Sequence, residues 1–123
     1  MMRVRALRGA TTLDADTPEQ MRERVPELVG EIMTRNGLAN DDVISVWFTT
    51  TPEINSLHPA TTVRNTLGFT DVSMLGATEM AVSASVPMCV RVMLHVETER
   101  DRADLQHVYL HGAVALRPDL AGS

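Results

Sequence analysis

The sequence predicts an α+β fold, a mixed β-sheet with helices on one face. Three observations lead there. Short segments alternate between apolar and polar residues as half-buried strands do, most clearly CVRVMLHVE at residues 89–97. Only two segments carry helix signals, and each opens on a start signal and closes near a glycine. The resulting order is β-α-β-α-β-β-β, with most strands in the second half, which suits a mixed sheet better than a regular β-α repeat.

Each element has its own justification. Residues 2–10 alternate, with Val4 and Ala6 on one face and Arg3, Arg5 and Leu7 on the other; Arg8 and Gly9 fall near the strand's end. A helix starts at DTPEQ, with Thr17 as N-cap, Pro18 in the first turn and Gln20 placed to complete a capping box. Met21, Val25, Leu28, Val29, Ile32 and Met33 then form one apolar stripe, opposite Glu19, Glu23, Glu27 and Glu31. Pro26 should kink or strain this helix, and Gly37 after Asn36 should stop it. DVISVWFTT at 42–50 reads as a buried strand, and TPEINSLHP as a loop. PATTVRNTLGF is a short helix from Pro59 to Gly68, and DVSMLGA a brief strand. Residues 77–88 fit no single template. The 89–97 strand puts Val90, Val92, Leu94 and Val96 on one face and Cys89, Arg91, Met93, His95 and Glu97 on the other. A charged turn leads to a last strand, HVYLHGAVAL, and a tail.

Composition narrows the function. With 123 residues the chain is expected to be a single domain, 1–123, with its tail mobile beyond about residue 120. A net charge of −5 argues against nucleic acid as partner, and no apolar run is long enough for a membrane span. The N-terminus, MMRVRALRGATT, lacks the apolar core of a signal peptide. A lone cysteine, Cys89, fits a cytoplasmic protein. All eleven basic residues are arginine, which excludes Schiff-base chemistry through lysine. Any anion here is met by planar, permanently charged forks.

Arg91 is the sharpest single feature. A guanidinium in mid-strand among apolar neighbours must meet water or an anion, either a carboxylate such as Glu79 or Glu97 or an anionic ligand. Arg8, Arg64, Glu79 and Tyr109 each read as ordinary surface or packing residues when taken alone. His58, His95, His107 and His111 show no metal-ligand spacing, so no metal is expected. No nucleophile motif is present, and Met74, Met80, Met88 and Met93 read as core filler.

Taken in order, RGATT at 8–12, TPEINSLHPATTVR at 51–64, EM at 79–80, CVRVML at 89–94 and HVYLHGAVALRPDL at 107–120 resemble the AroH class of chorismate mutases. The resemblance implies a homotrimer with a pseudo-α/β-barrel core, active sites between subunits, and neither cofactor nor metal. It implies conversion of chorismate to prephenate, in phenylalanine and tyrosine biosynthesis. That Claisen rearrangement needs no proton transfer or covalent intermediate, only a compact substrate conformer and a cation at the ether oxygen. By this resemblance Arg91 meets the ether oxygen and one carboxylate. Arg8 grips a carboxylate with Tyr109, Arg64 reaches in from the neighbouring subunit, and Glu79 binds the ring hydroxyl. Leu75, Gly76, Ala77, Thr78 and Glu79 supply backbone contacts, while His58, Ala60, Leu116 and the tail wall the cleft.

Two positions depart from the family pattern. Gly76 stands where a cysteine is common, and His58 where an aromatic is. Neither removes a charge the chemistry requires. Two other readings suit a trimer of this kind: an imine/enamine deaminase, or a non-catalytic binder of an aromatic-pathway metabolite.

Overall fold

The computed structural model describes residues 1–116, so what was expected of the tail from residue 117 lies outside the described residues. The elements follow the expected order: β1 (Arg3–Thr12), α1 (Pro18–Arg35), β2 (Val43–Thr50), α2 (Pro59–Leu67), β3 (Ser73–Thr78), β4 (Cys89–Thr98) and β5 (Val108–Tyr109). They form one mixed sheet in the order β3-β2-β4-β1-β5. The central strand β4 runs antiparallel to β2 and β1, and the edge strands β3 and β5 join in parallel.

Alternation divides the sheet into two unlike faces. Val90, Val92, Leu94 and Val96 of β4 lie in the core with Leu7 of β1 and Val46 and Phe48 of β2. The expected α1 stripe covers them, with Met21, Val25, Leu28, Val29 and Ile32 wholly buried and Met33 nearly so. Burial of this row is the main stabilising term, at roughly 1.5–3 kcal/mol per large side chain. Among the described residues no α-helix lies on the opposite face; the 3-10 helix His111–Leu116 covers only its end at Ala10 and Cys89. On that face Trp47 is 47% exposed and Leu75 58%, although the apolar run at 42–50 read as a fully buried strand. Val46 and Phe48 of that run face the helices by alternation, and Val43 joins them across a register shift between Val43 and Ser45.

Other local expectations are revised. β1 runs on to Thr12, past the end expected near residue 10, and Gly9 lies within it. A Cβ on Gly9 would stand 2.7 Å from the Val108 carbonyl and 2.9 Å from Ile32 Cδ1, so glycine lets β5 and α1 close on β1. The Thr17 hydroxyl caps α1 by accepting the Gln20 amide, but the Gln20 side chain accepts from Asp14 N–H instead of returning to Thr17. The reason is that Thr17 N–H already donates to the Ala15 carbonyl. α1 is assigned as one helix through Pro26; the Arg22 carbonyl that loses its donor belongs to an exposed residue that water can serve. The last strand shrinks to Val108–Tyr109. His111 turns the chain with φ 51°, and Gly112 N–H then donates to the Thr12 hydroxyl while residues His111–Leu116 coil into a 3-10 helix. Of the four methionines read as core filler, Met74 and Met88 pack partly against the core. Met80 is exposed and Met93 lies on the open face.

One buried amide ties the far end of α1 to the entry of β5. Asn36 Nδ2 donates to the Ile32 and Gln106 carbonyls, and its Oδ1 accepts Gln106 N–H. Replacing it with alanine removes the partners of the Gln106 N–H and carbonyl and empties a buried position, while the Ile32 carbonyl keeps the Asn36 amide. Asn36→Ala should therefore destabilise the fold by at least about 2 kcal/mol in a urea titration, with an unchanged slope.

Candidate active site

The register sets the open face in rows. Leu75, Trp47, Met93 and Arg8 lie side by side across β3, β2, β4 and β1. The next row is Ala77, Thr49, Arg91, Ala10 and Tyr109. Between the rows lies a concavity of about 260 Å³ lined by Arg8, Trp47, Thr49, Arg91, Met93 and Tyr109, with the backbone around Gly9. The sequence-predicted residues Arg8, Arg91 and Tyr109 are thus brought together, with Glu79 beside them.

Glu79 follows β3, and its amide donates to the Thr50 carbonyl, which holds it at the end of β2. Its carboxylate Oε1 lies 2.7 Å from Arg91 Nε and accepts the Thr49 hydroxyl at 2.8 Å. Arg91 therefore meets one of the carboxylates its position called for. The pair is nevertheless incomplete: Arg91 Nε is shielded from water, yet its N–H aligns with no acceptor. The side chain as a whole is 43% exposed, so the arginine is held at Nε and open elsewhere. Arg8 is exposed, and no described carboxylate pairs with it; its amide is taken by His107 Nδ1. Two cations thus border the cavity with one carboxylate between the elements.

Below this site, Ala10, Cys89, Tyr109 and Ala113 form a small second core, with Leu116 packed against it. Burial pushes the Cys89 thiol up to about 11, while the Arg91 charge pulls it the other way. It stays a neutral, buried thiol at physiological pH.

Other predicted residues lie elsewhere. Gly76, Ala77, Thr78 and His58 line a second cavity of about 540 Å³, walled by Phe48 and the loop at 54–59. Arg64 is exposed on α2, and Ala60 packs partly against the main core. Leu75 to Thr78 belong to β3, an edge strand that among the described residues pairs on one side only. Within one chain, therefore, Arg64 and His58 do not join Arg91. Among the described residues no group of three His, Cys, Asp or Glu comes together that could hold a metal ion.

Thr49, Trp47, Asp16 and Glu53 were not singled out from the sequence. Thr49 and Trp47 enter through register. Asp16 and Glu53 anchor the loops. Asp16 accepts the Asn55 and Ser56 amides, and Glu53 accepts Met88 N–H and the Thr51 hydroxyl. Both carboxyls are held below the ordinary range. For Asp16 the neighbouring Ser56 hydroxyl is the main cause, followed by the Asn55 amide. No aligned partner is fixed for that hydroxyl, which is free to rotate toward the carboxylate. For Glu53 the main cause is the Met88 amide.

The chain belongs to the family described as chorismate mutase type I, whose model matches residues 4–120. It is 35% identical over 120 residues to chorismate mutase AroH of Bacillus subtilis (strain 168), covering 98% of this chain and 94% of that protein. With chorismate mutase AroH of Thermus thermophilus it shares 37% identity over 118 residues, covering 95% and 96% of the two chains. A solved structure, chorismate mutase from Clostridium thermocellum Cth-682, superposes with a TM-score of 0.88 at 39% identity, covering 90% of this chain and 98% of that one.

The loop anchors carry a pH prediction. A carboxyl whose pKa is depressed by folding adds stability above its unfolded value, and loses it as pH falls through the folded value. Between pH 5 and 3, the protection of the Asn55, Ser56 and Met88 amides, relative to the intrinsic exchange rate at each pH, should fall before the β4 core opens. Amide-resolved exchange by NMR checks this; simultaneous opening of loop and core would contradict it.

Proposed function

We propose that the chain is a chorismate mutase, rearranging chorismate to prephenate within one domain. The observation that carries this reading is the cavity itself. It offers two arginines, a phenol, a threonine hydroxyl already turned to the adjoining carboxylate, and, among the described residues, no serine, cysteine or lysine. Such a set is poor for covalent catalysis and well matched to a dianionic substrate whose ether bond must stretch.

In this reading Arg8 grips a substrate carboxylate with help from the Tyr109 hydroxyl. The open part of the Arg91 guanidinium faces the ether oxygen and the other carboxylate. As the C–O bond lengthens, negative charge grows on that oxygen and meets a cation already in place, with no reorganisation at the moment of reaction. Glu79 binds the ring hydroxyl and offsets positive charge on the ring fragment. Binding in the compact conformer removes the entropy cost of folding the side chain over the ring.

The cavity is half of a site. It opens on the uncovered sheet face, where exposed Trp47, Leu75 and Met93 form an apolar strip. An apolar sheet face of this kind calls for a partner. We assign that partner to copies of the same chain in a trimer, with Arg64 and His58 of a neighbouring subunit closing over the substrate. Gly76, Ala77 and Thr78 offer backbone from the unpaired side of β3. The protein is read as acting in the cytoplasm, on small molecules alone.

The direct test is to mix the protein with chorismate, follow its absorbance, and acidify to convert prephenate to phenylpyruvate. Matching loss and gain establish the reaction; an inert folded protein refutes it. Replacing Arg91 with a neutral residue of similar size should lower kcat by about 10²-fold or more while the oligomer stays intact. A small loss would remove Arg91 from the mechanism. The rate should also stay nearly flat from pH 6 to 9, since no step transfers a proton. A bell-shaped profile inside that range would contradict the pericyclic course.

A further inference from the structure

The contact between Arg91 and Glu79 has an unusual form. An arginine beside a carboxylate normally closes into a two-pronged pair, both oxygens on two N–H groups. Here one oxygen, Oε1, lies 2.7 Å from Nε, and that N–H still aligns with no acceptor. Glu79 Oε2 makes no hydrogen bond with a described residue. Something holds the carboxylate in contact with the guanidinium without letting it swing into the fork.

The Thr49 hydroxyl is placed to do this. It donates to the same oxygen at 2.8 Å, from the strand position directly across from Arg91. The Glu79 amide is fixed as well, on the Thr50 carbonyl one residue further along β2. The carboxylate is thus tethered from β2 at both its backbone and its Oε1. We infer that Thr49 is a positioning residue, which holds Glu79 short of a closed ion pair so that the outer N–H groups of Arg91 remain open to substrate. Without that tether the carboxylate turns onto the guanidinium, satisfies both of its oxygens, and neutralises the cation the substrate needs. Thr49 lines the cavity, but in this role it acts through Glu79. The identity of the substrate rests on the chorismate mutase reading; the arrested pair does not.

The test uses Thr49→Val, which keeps the shape and removes the donor, and Thr49→Ser, which keeps the donor. With chorismate, Thr49→Val should lower kcat about tenfold, the scale of one hydrogen bond to a charged group. KM should change by less than about threefold, and Thr49→Ser should recover most of the rate. In a Glu79→Gln background, where the charge that closes the pair is gone, Thr49→Val should cost less than about twofold more. A full additional loss there, or a serine variant as slow as the valine one, would show a merely structural residue and overturn the inference. Crystal structures of the wild-type protein and Thr49→Val supply a readout that needs no turnover. Glu79 should form a two-pronged pair with Arg91 only in the variant. An unmoved carboxylate overturns the inference even if chorismate is the substrate, and a moved one sustains it even if chorismate is not.

Discussion

The antiparallel ladder between β1 and β4 is the constraint from which the rest follows. It pairs ten residues of each strand without interruption, from Arg3 with Thr98 to Thr12 with Cys89. Because side chains alternate, that one register sends Leu7 and Leu94 to the helices and Arg8 and Arg91 to the open face. A slip by one residue would bury a guanidinium and expose the valines. The cost of burying an unpaired charge and the gain from burying four aliphatic residues therefore select the same register. Core and site are specified by one set of hydrogen bonds, not by two.

That economy explains what could be read in advance. The α1 stripe, the two capped helices and the valine face of β4 were legible because each depends on residues close in sequence. So was the placement of Arg91, since its face follows from alternation alone. The partner of Arg91 was legible only as a choice between carboxylates, because selecting Glu79 requires knowing that β3 lies beside β2. Thr49 and Trp47 were hidden for the same reason: each takes its meaning from a cross-strand neighbour far away in the chain. The shortening of the last strand was hidden too. HVYLHGAVAL alternates well enough for a strand, and only the left-handed turn at His111 with the bond from Gly112 to Thr12 ends it.

The site shows how a protein keeps a cation available without leaving it unguarded. A lone guanidinium in this position would bear a large desolvation cost, while a fully paired one would be unavailable to a ligand. Sharing a single carboxylate oxygen with a threonine is intermediate between the two. The lack of lysine suits this design: a guanidinium can be held at Nε and still present its outer edge, which an ammonium cannot do. The loops around the site are tethered by Asp16 and Glu53, so the acidic surplus of the chain is partly invested in local order.

The same ladder sets an order of events during synthesis. Among the described strands β1 is made first, yet the neighbours that pair with it, β4 and β5, are made last. At about 5–20 residues per second, β1 waits several seconds with its edges unpaired. In that interval the helices and the parallel β2–β3 pair can form, but the sheet lacks its centre. The sheet is therefore completed only after β5 has been made, and until then β1 is the part most in need of shelter from other chains.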